Sequence, residues 1–408
     1  MRIHPFAAIR VPAHRASEVS CPPYDIVEDA EARALAVSKP NSFIRVVRPE
    51  TDFPPEQNPY ADEVYDRGLT NLNDLLARGY LVRERDPKLF VYRQSSGGRR
   101  QAGLVCCLDV DDYRTRVIRR HELTRPVKVD DRAKHMMALG VHAEAVLLAV
   151  AGAPELARQL SRDMNDRPLL HFTAKDGTTH TLWSVNDPAK YAAIFAPIER
   201  VYIADGHHRT AAAEITAERL GSSGGDASQR IFGVCYPAEE LHILPYHRLV
   251  RLGGSATAQQ FLAQLRERGP LAPMTQADVA STIGAGSVGI FAEGRWWRFT
   301  MPAAACAGVM ANLDVARLSQ HILAPLLGIT DERTDPRLSF AGSCGAAQLE
   351  VEVREGRADI AFALHATSMA ELMAVADADL IMPPKSTWFD PKIRSGIFLH
   401  AFVDGHED

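Results

Sequence analysis

A mixed α/β (α+β) fold is what this sequence predicts, and three observations carry the prediction. Residues 200–203 read as a short buried strand, and residues 210–220, dominated by Ala, Glu and other good helix formers, read as a helix directly after it. Residues 89–93 and 102–109 look like two strands joined across Ser95, Ser96, Gly97 and Gly98, a hairpin signal. A helical stretch covers residues 60–78, and further strand candidates lie at 287–291, 295–300, 349–353 and 359–364.

Taken in order, the elements fall into three blocks, as a chain of 408 residues allows at roughly 150 residues per domain. Block 1–115 opens with Pro22, Pro23, Tyr24 and Asp25, continues through a strand-like run at 42–47 and the helix at 60–78, and ends in the hairpin. Block 116–250 holds the strand-to-helix passage and closes in strand-like residues 232–235 and 241–244. Between them the Gly- and Ser-rich residues 221–228 read as a flexible connection. Block 251–408 contains the remaining strands and a helix over Met369, Leu372, Met373 and Ala376, preceded by Ser368 and Glu371 at capping-box spacing. No internal repeat is evident.

Composition excludes several classes. Charged residues are 24% of the chain and the net charge is −5, which argues against a nucleic-acid footprint. The longest apolar stretch, residues 143–153, is interrupted by Glu144 and is shorter than the ~20 residues a membrane span needs. Met1 to Phe6 lack a hydrophobic signal core, so a cytoplasmic location is expected. Six cysteines at 21, 106, 107, 235, 306 and 344 contain no CxxC pair, which points to reduced, mostly buried thiols. No sequence feature assigns an oligomeric state.

Chemistry concentrates at Asp205, Gly206, His207, His208 and Arg209, on the turn between strand and helix. Backbone N–H groups and the positive end of the helix dipole meet there, so an anion is expected at the turn with Arg209 as a forked ligand and Gly206 allowing close approach. A helix cap needs one polar side chain, whereas this segment supplies four. Asp205 with the histidines also offers ligands to a divalent ion, but adjacent histidines project differently and no Cys or HxxxH pattern accompanies them.

Two other segments carry excess polar chemistry. In residues 119–132, His121 and Glu122 precede the basic set Arg125, Lys128 and Arg132, which suits a general base beside a bound phosphate. A solvated helix face with i,i+4 ion pairs fits that segment equally well. In residues 381–394, Pro383, Pro384 and Pro391 restrict a loop that presents Lys385, Ser386 and Thr387. The competing reading there is a proline-rich surface turn whose Trp388 and Phe389 plug the core.

Nearly the whole chain resembles the bacterial and archaeal family known as domain of unknown function 1015. The resemblance rests on Pro22 to Asp25, Asn41 to Phe43, Arg48 to Glu50, His121 with Glu122, Thr124 with Arg125, Asp130 to Arg132, Ile203 to Arg209, and Met382 to Phe389. More distantly, Asp205 to Arg209 is similar to the Asp-Gly-His-His-Arg motif of archaeal free-serine kinases of the ParB and sulfiredoxin superfamily. Those kinases place Pro-His-Glu before the motif and Pro-Lys-Thr-Thr-Arg after it. Here Arg120, His121 and Glu122 and then Pro384, Lys385, Ser386, Thr387 and Trp388 stand in the same order. Arg120, Ser386 and Trp388 depart from the pattern, and the N-terminal block of about a hundred residues has no counterpart.

The resemblance implies a ParB/sulfiredoxin-like core in block 116–250, with the outer blocks closing over the phosphate turn. It implies nucleotide-dependent phosphoryl transfer to a small hydroxyl metabolite, most simply free serine, with ADP or ATP as donor and Mg²⁺ bridging the phosphates. Glu122 is then the base, with Asp205, His208 and Arg209 around the transferred group and Asp205 the metal residue. Gly206, His207, Arg125 and Lys128 would hold the nucleotide, and Lys385, Ser386 and Thr387 the substrate. Two other readings use the same residues: a phosphatase of phosphoserine or a similar ester, and a non-catalytic nucleotide-binding module.

Overall fold

The computed structural model describes residues 1–221, 225–254, 256–303, 308–342 and 344–403. The chain is mixed α/β and divides into two compact units, Met1–Leu241 with Pro391–Asp408, and His242–Asp390.

The first unit is built on a nine-stranded sheet that draws strands from both sides of position 115. Its order is Ile118–Arg119, Val201–Asp205, Val146–Val150, Arg230–Pro237, Arg99–Asp109, Phe90–Ser96, Thr179–Ser184 and Leu170–Thr173, with Ile3–His4 paired to Arg99–Asp109. The expected hairpin forms, running from Phe90 opposite Val105 to Ser96 opposite Arg99. Gly97 and Gly98 turn it with φ of +55° and +79°, the left-handed backbone that a two-residue hairpin loop demands. Every residue of Val146–Val150 is buried, so the apolar run there is a central strand covered on both faces.

One pairing positions the site. Val201–Asp205 runs parallel to Ile118–Arg119, with Val201 opposite Ile118 and Tyr202 opposite Arg119. Both strands therefore end at the same edge, where chain leaving residue 119 emerges beside chain leaving residue 205, the place where open α/β sheets gather polar chemistry. The helices that follow, Pro126–Leu139 and His207–Leu220, pack on each other through Val129, Ala133, Met136 and Ala212. A second sheet, of Val82–Arg83, Ala8–Arg10, Phe398–Ala401 and Val141–His142, brings the late segment of the chain back into this unit.

Two expected strands are helices. Residues 42–47 contribute the helix Ile44–Val47, closed by Val47 N–H to Phe43 C=O at 3.2 Å and Arg48 N–H to Ile44 C=O at 2.7 Å. Phe43, Ile44, Val46 and Val47 are all fully buried, and a short run buried on every side carries no period that tells strand from helix. Residues 349–353 lie in the helix Ala346–Arg354, where only Leu349 is buried. Pairs of Glu350 with Arg354 and Gln348 with Glu352, four apart, favour the helix over the Leu-Glu-Val-Glu-Val alternation. Of the expected flexible connection, residues 222–224 lie outside the described residues, and Gly225–Ser228 forms a short helix.

The second unit holds a six-stranded sheet ordered Leu271–Met274, Arg295–Thr300, Ser287–Ala292, Ile360–Leu364, Tyr246–Val250 and Leu338–Gly342. The capping box forms at Met369–Asp377, Ser368 Oγ accepting from Glu371 N–H at 3.2 Å. Beyond that helix, the loop bearing Lys385, Ser386 and Thr387 is held by Arg248, a fully buried side chain. Its guanidinium donates to Lys385 C=O at 3.0 Å and Pro384 C=O at 3.1 Å and pairs with Glu332 at 3.0 Å.

Candidate functional site

The strand Val201–Asp205 stops at Gly206, whose φ of +103° and ψ of 30° make it the N-cap of His207–Leu220. The helix thus begins at His207, earlier than its composition suggests, and its first-turn N–H groups point out of the turn with the positive end of the helix dipole. A Cβ at Gly206 would lie 3.1 Å from Cζ and Nε of Arg209. Glycine is needed there because the guanidinium folds back over the turn.

Arg209 is 4% exposed and does not present its fork outward. It donates to Ala145 C=O and to Asp205 Oδ2, and lies 3.8 Å from Asp25 Oδ2. Lys392, to which local sequence assigns no role, donates to the other oxygen, Oδ1 of Asp205. Burial alone raises the pKa of Asp205, but Lys392 and Arg209 outweigh it and hold the carboxyl well below the usual range. Burial likewise opposes the charge on Lys392, and Asp205 and Asp25 restore it. Each oxygen of Asp205 faces a cation, an arrangement that repels Mg²⁺.

The N-terminal segment completes this network. Tyr24 N–H donates to Glu144 Oε1 at 3.1 Å, Ser395 Oγ donates to the same oxygen, and Arg132 lies 4.4 Å over the Tyr24 ring. Burial pushes the pKa of Glu144 up, even though Arg209 and these two hydrogen bonds oppose it. Asp25 and Glu144 carry only faint marks in the sequence, Asp25 as the end of the Pro22 to Asp25 motif and Glu144 as the one charge in its apolar run. Lys392 had only its place in the proline-framed segment to mark it.

A second cluster surrounds Glu122. His121 N–H donates to His207 Nε2 at 3.4 Å, so the His207 ring proton sits on Nδ1, which faces Glu122 Oε2 at 3.9 Å. The two imidazoles meet edge to face, with centroids 4.4 Å apart. Burial pushes His121 down to about 4 and His207 well below its ordinary value, so both rings are neutral at pH 7. One ligand atom from each of His121, Glu122 and His207 lies within 4.8 Å of the others, a spacing suited to a small divalent ion. The tautomer opposes that use, because the nitrogen facing Glu122 carries the proton.

Arg125 and His208 are also brought together, Arg125 N–H donating to His208 Nε2 at 3.1 Å. Lys128 sits further out on the helix Pro126–Leu139, 3.1 Å from Tyr60 Oη. Lys385, Ser386 and Thr387 belong to the second unit. There Ser386 is buried, donating to Pro383 C=O at 2.7 Å, and the Lys385 ammonium lies 5.6 Å from the Tyr246 ring centroid. Among the described residues, no helix is long and apolar enough to cross a membrane. The five described cysteines are free, and four of them are buried.

The fold and this turn belong with a family. The chain is a member of the family described as protein of unknown function (DUF1015), which matches residues 3–316. Comparison with curated proteins gave no match. Among solved structures, a conserved hypothetical protein from Pyrococcus furiosus is similar at 14% identity over 73% of this chain and 95% of its own, with a TM-score of 0.38. A free serine kinase mutant in complex with ADP is similar at 11% identity over 70% and 87%, with a TM-score of 0.37. SbnI from Staphylococcus aureus, truncated at its C-terminus, is similar at 12% identity over 72% and 85%, with a TM-score of 0.37.

Proposed function

We propose that the chain is a nucleotide-dependent phosphotransferase acting on a small hydroxyl metabolite, with free serine the first acceptor to test. The observation that carries the reading is Glu122, a partly exposed carboxylate facing His207 Nδ1 at 3.9 Å at the head of the helix His207–Leu220. Glu122 takes the proton of the attacking hydroxyl, with the His207 ring facing it at 3.9 Å. The transferred phosphoryl group lies over the first-turn N–H groups, where fixed dipoles meet developing charge at no cost of reorganisation. His208 stands on the same turn, and the exposed cations Arg125 and Lys128 hold the donor's phosphates.

Asp205 and Arg209 act beneath the turn rather than on the ligand. With Lys392 they fix the backbone that presents the N–H groups. Mg²⁺, which would neutralise charge between the donor phosphates, does not fit Asp205 in this arrangement. The order Glu122, then Asp205 to Arg209, then Lys385 to Thr387 matches the motif order of the free-serine kinases and supports serine as acceptor.

The deciding experiment is a matrix of ADP and ATP against free serine and other small hydroxyl compounds, read by phosphorus NMR. A new phosphate ester that requires both nucleotide and acceptor is the expected result. Phosphate release from phosphoserine without nucleotide identifies a phosphatase instead. Nucleotide binding with no turnover across the matrix identifies a binding module.

A further inference from the structure

We infer that the cavity between Tyr60 and the start of the helix Pro126–Leu139 binds the base of the nucleotide donor, an inference that rests on the nucleotide reading above. The cavity holds about 400 Å³, within the range of small-molecule pockets. Tyr60, Tyr65, Pro126 and Val127 supply its flat and aliphatic walls, and Asp130 and Asp131 its acceptors.

Charge narrows the occupant. Asp131 accepts from Tyr65 Oη at 2.9 Å and pairs with Arg132 at 2.8 Å. Asp130 pairs with Arg219 at 2.7 Å and Lys134 at 3.2 Å. Both carboxylates are thus neutralised, so the cavity favours neither an anion nor an ammonium ion. Asp130, 42% exposed and paired with two cations, keeps unused lone pairs, since an ionised carboxylate offers about four acceptor sites. Aromatic walls with spare acceptors suit a neutral planar heterocycle bearing an amino group, which is the chemistry of a nucleobase.

Exposed apolar side chains fit a binding surface. Val127 is 67% exposed and Tyr60 38%, and both line the cavity; apolar side chains exposed together mark binding surfaces more often than single ones do. Chain adjacency links the cavity wall to the turn. Pro126, in its wall, directly follows Arg125, whose N–H meets His208. Lys128 lies over the Tyr60 ring at 5.5 Å, at the rim between base and phosphates.

The test is calorimetric titration of the full chain with ADP and, separately, with inorganic pyrophosphate. Tyr60→Ala and Val127→Glu should weaken ADP at least tenfold and pyrophosphate by a clearly smaller factor, since Lys128 rests on Tyr60 and adjoins Val127, with melting temperatures reported for both variants. Unchanged ADP affinity in both folded variants overturns the base site while the nucleotide reading stands. Wild-type protein that binds pyrophosphate as tightly as ADP also overturns it, because the base then contributes nothing. Wild-type protein that binds neither removes the nucleotide reading and this inference with it. Self-association of the wild type that Val127→Glu abolishes identifies a second copy as the occupant and likewise overturns the proposal.

Discussion

Lys392 and Asp205, 187 positions apart in sequence, form a buried ion pair on the strand-to-helix turn. Their side chains are 12% and 17% exposed, so neither charge is well hydrated without the other. Removing one partner of a buried pair costs about 3–5 kcal/mol, because the remaining charge stays buried. Lys392→Met should therefore lower stability strongly in denaturant unfolding, with Arg209 retaining part of the pairing. In a double-mutant cycle with Asp205→Asn, the combined loss should fall well short of the sum. Additive losses would show that the two side chains do not share the interaction.

Glu122 separates chemistry from stability. Its side chain is 39% exposed and Gln keeps its volume, so Glu122→Gln should leave the melting temperature within a few degrees of wild type. Loss of a general base lowers turnover by roughly 10²–10⁴-fold. Single-turnover rates and thermal melts on one preparation check both halves. Normal turnover in the variant would remove Glu122 from the mechanism.

Gly206→Ala tests the turn itself. The backbone is held at φ +103°, and the new methyl would press on the Arg209 guanidinium at 3.1 Å. A strained residue of this kind costs about 1–3 kcal/mol. The variant should melt earlier and bind phosphate more weakly, since the displaced Arg209 no longer steadies Asp205. A melting curve that overlays wild type would mean the turn adapts freely.

Acid should destabilise both units through buried histidines. Burial pushes His121 and His142 in the first unit, and His247 in the second, down to about 4. Unfolded, these rings titrate near the ordinary 6.5, so between about 6.5 and 4 the unfolded chain binds more protons. The contribution of these three rings is then full above about pH 6.5, falls as pH drops through that window, and levels off below it. Urea midpoints measured from pH 7.5 to 4.5 should decline steadily, and a flat profile to pH 5 would refute the assignment.

Local chemistry was legible in the sequence where neighbours along the chain make the structure. Asp205 to Arg209 do sit on a strand-to-helix turn, the Gly97 and Gly98 hairpin closes as read, and Ser368 caps with Glu371. Burial defeated pattern where it was uniform, as in Ile44–Val47, and alternation misled where i,i+4 pairs prevailed, as in Ala346–Arg354. The network under the turn was least legible. Asp25, Glu144 and Lys392 reach it from three distant segments, and such pairings leave no trace in local composition.

Because the first unit is assembled from Met1–Leu241 and Pro391–Asp408, its completion has to wait for protein synthesis. The ribosome must translate all of His242–Asp390 before Lys392 and the strand Phe398–Ala401 become available. At about 5–20 residues per second that delay is on the order of ten seconds. During it the nascent first unit carries Asp205 without its lysine and lacks the strand that joins Ala8–Arg10 to Val141–His142. The strand-to-helix turn is thus made unfinished, and a segment translated only after His242–Asp390 locks it.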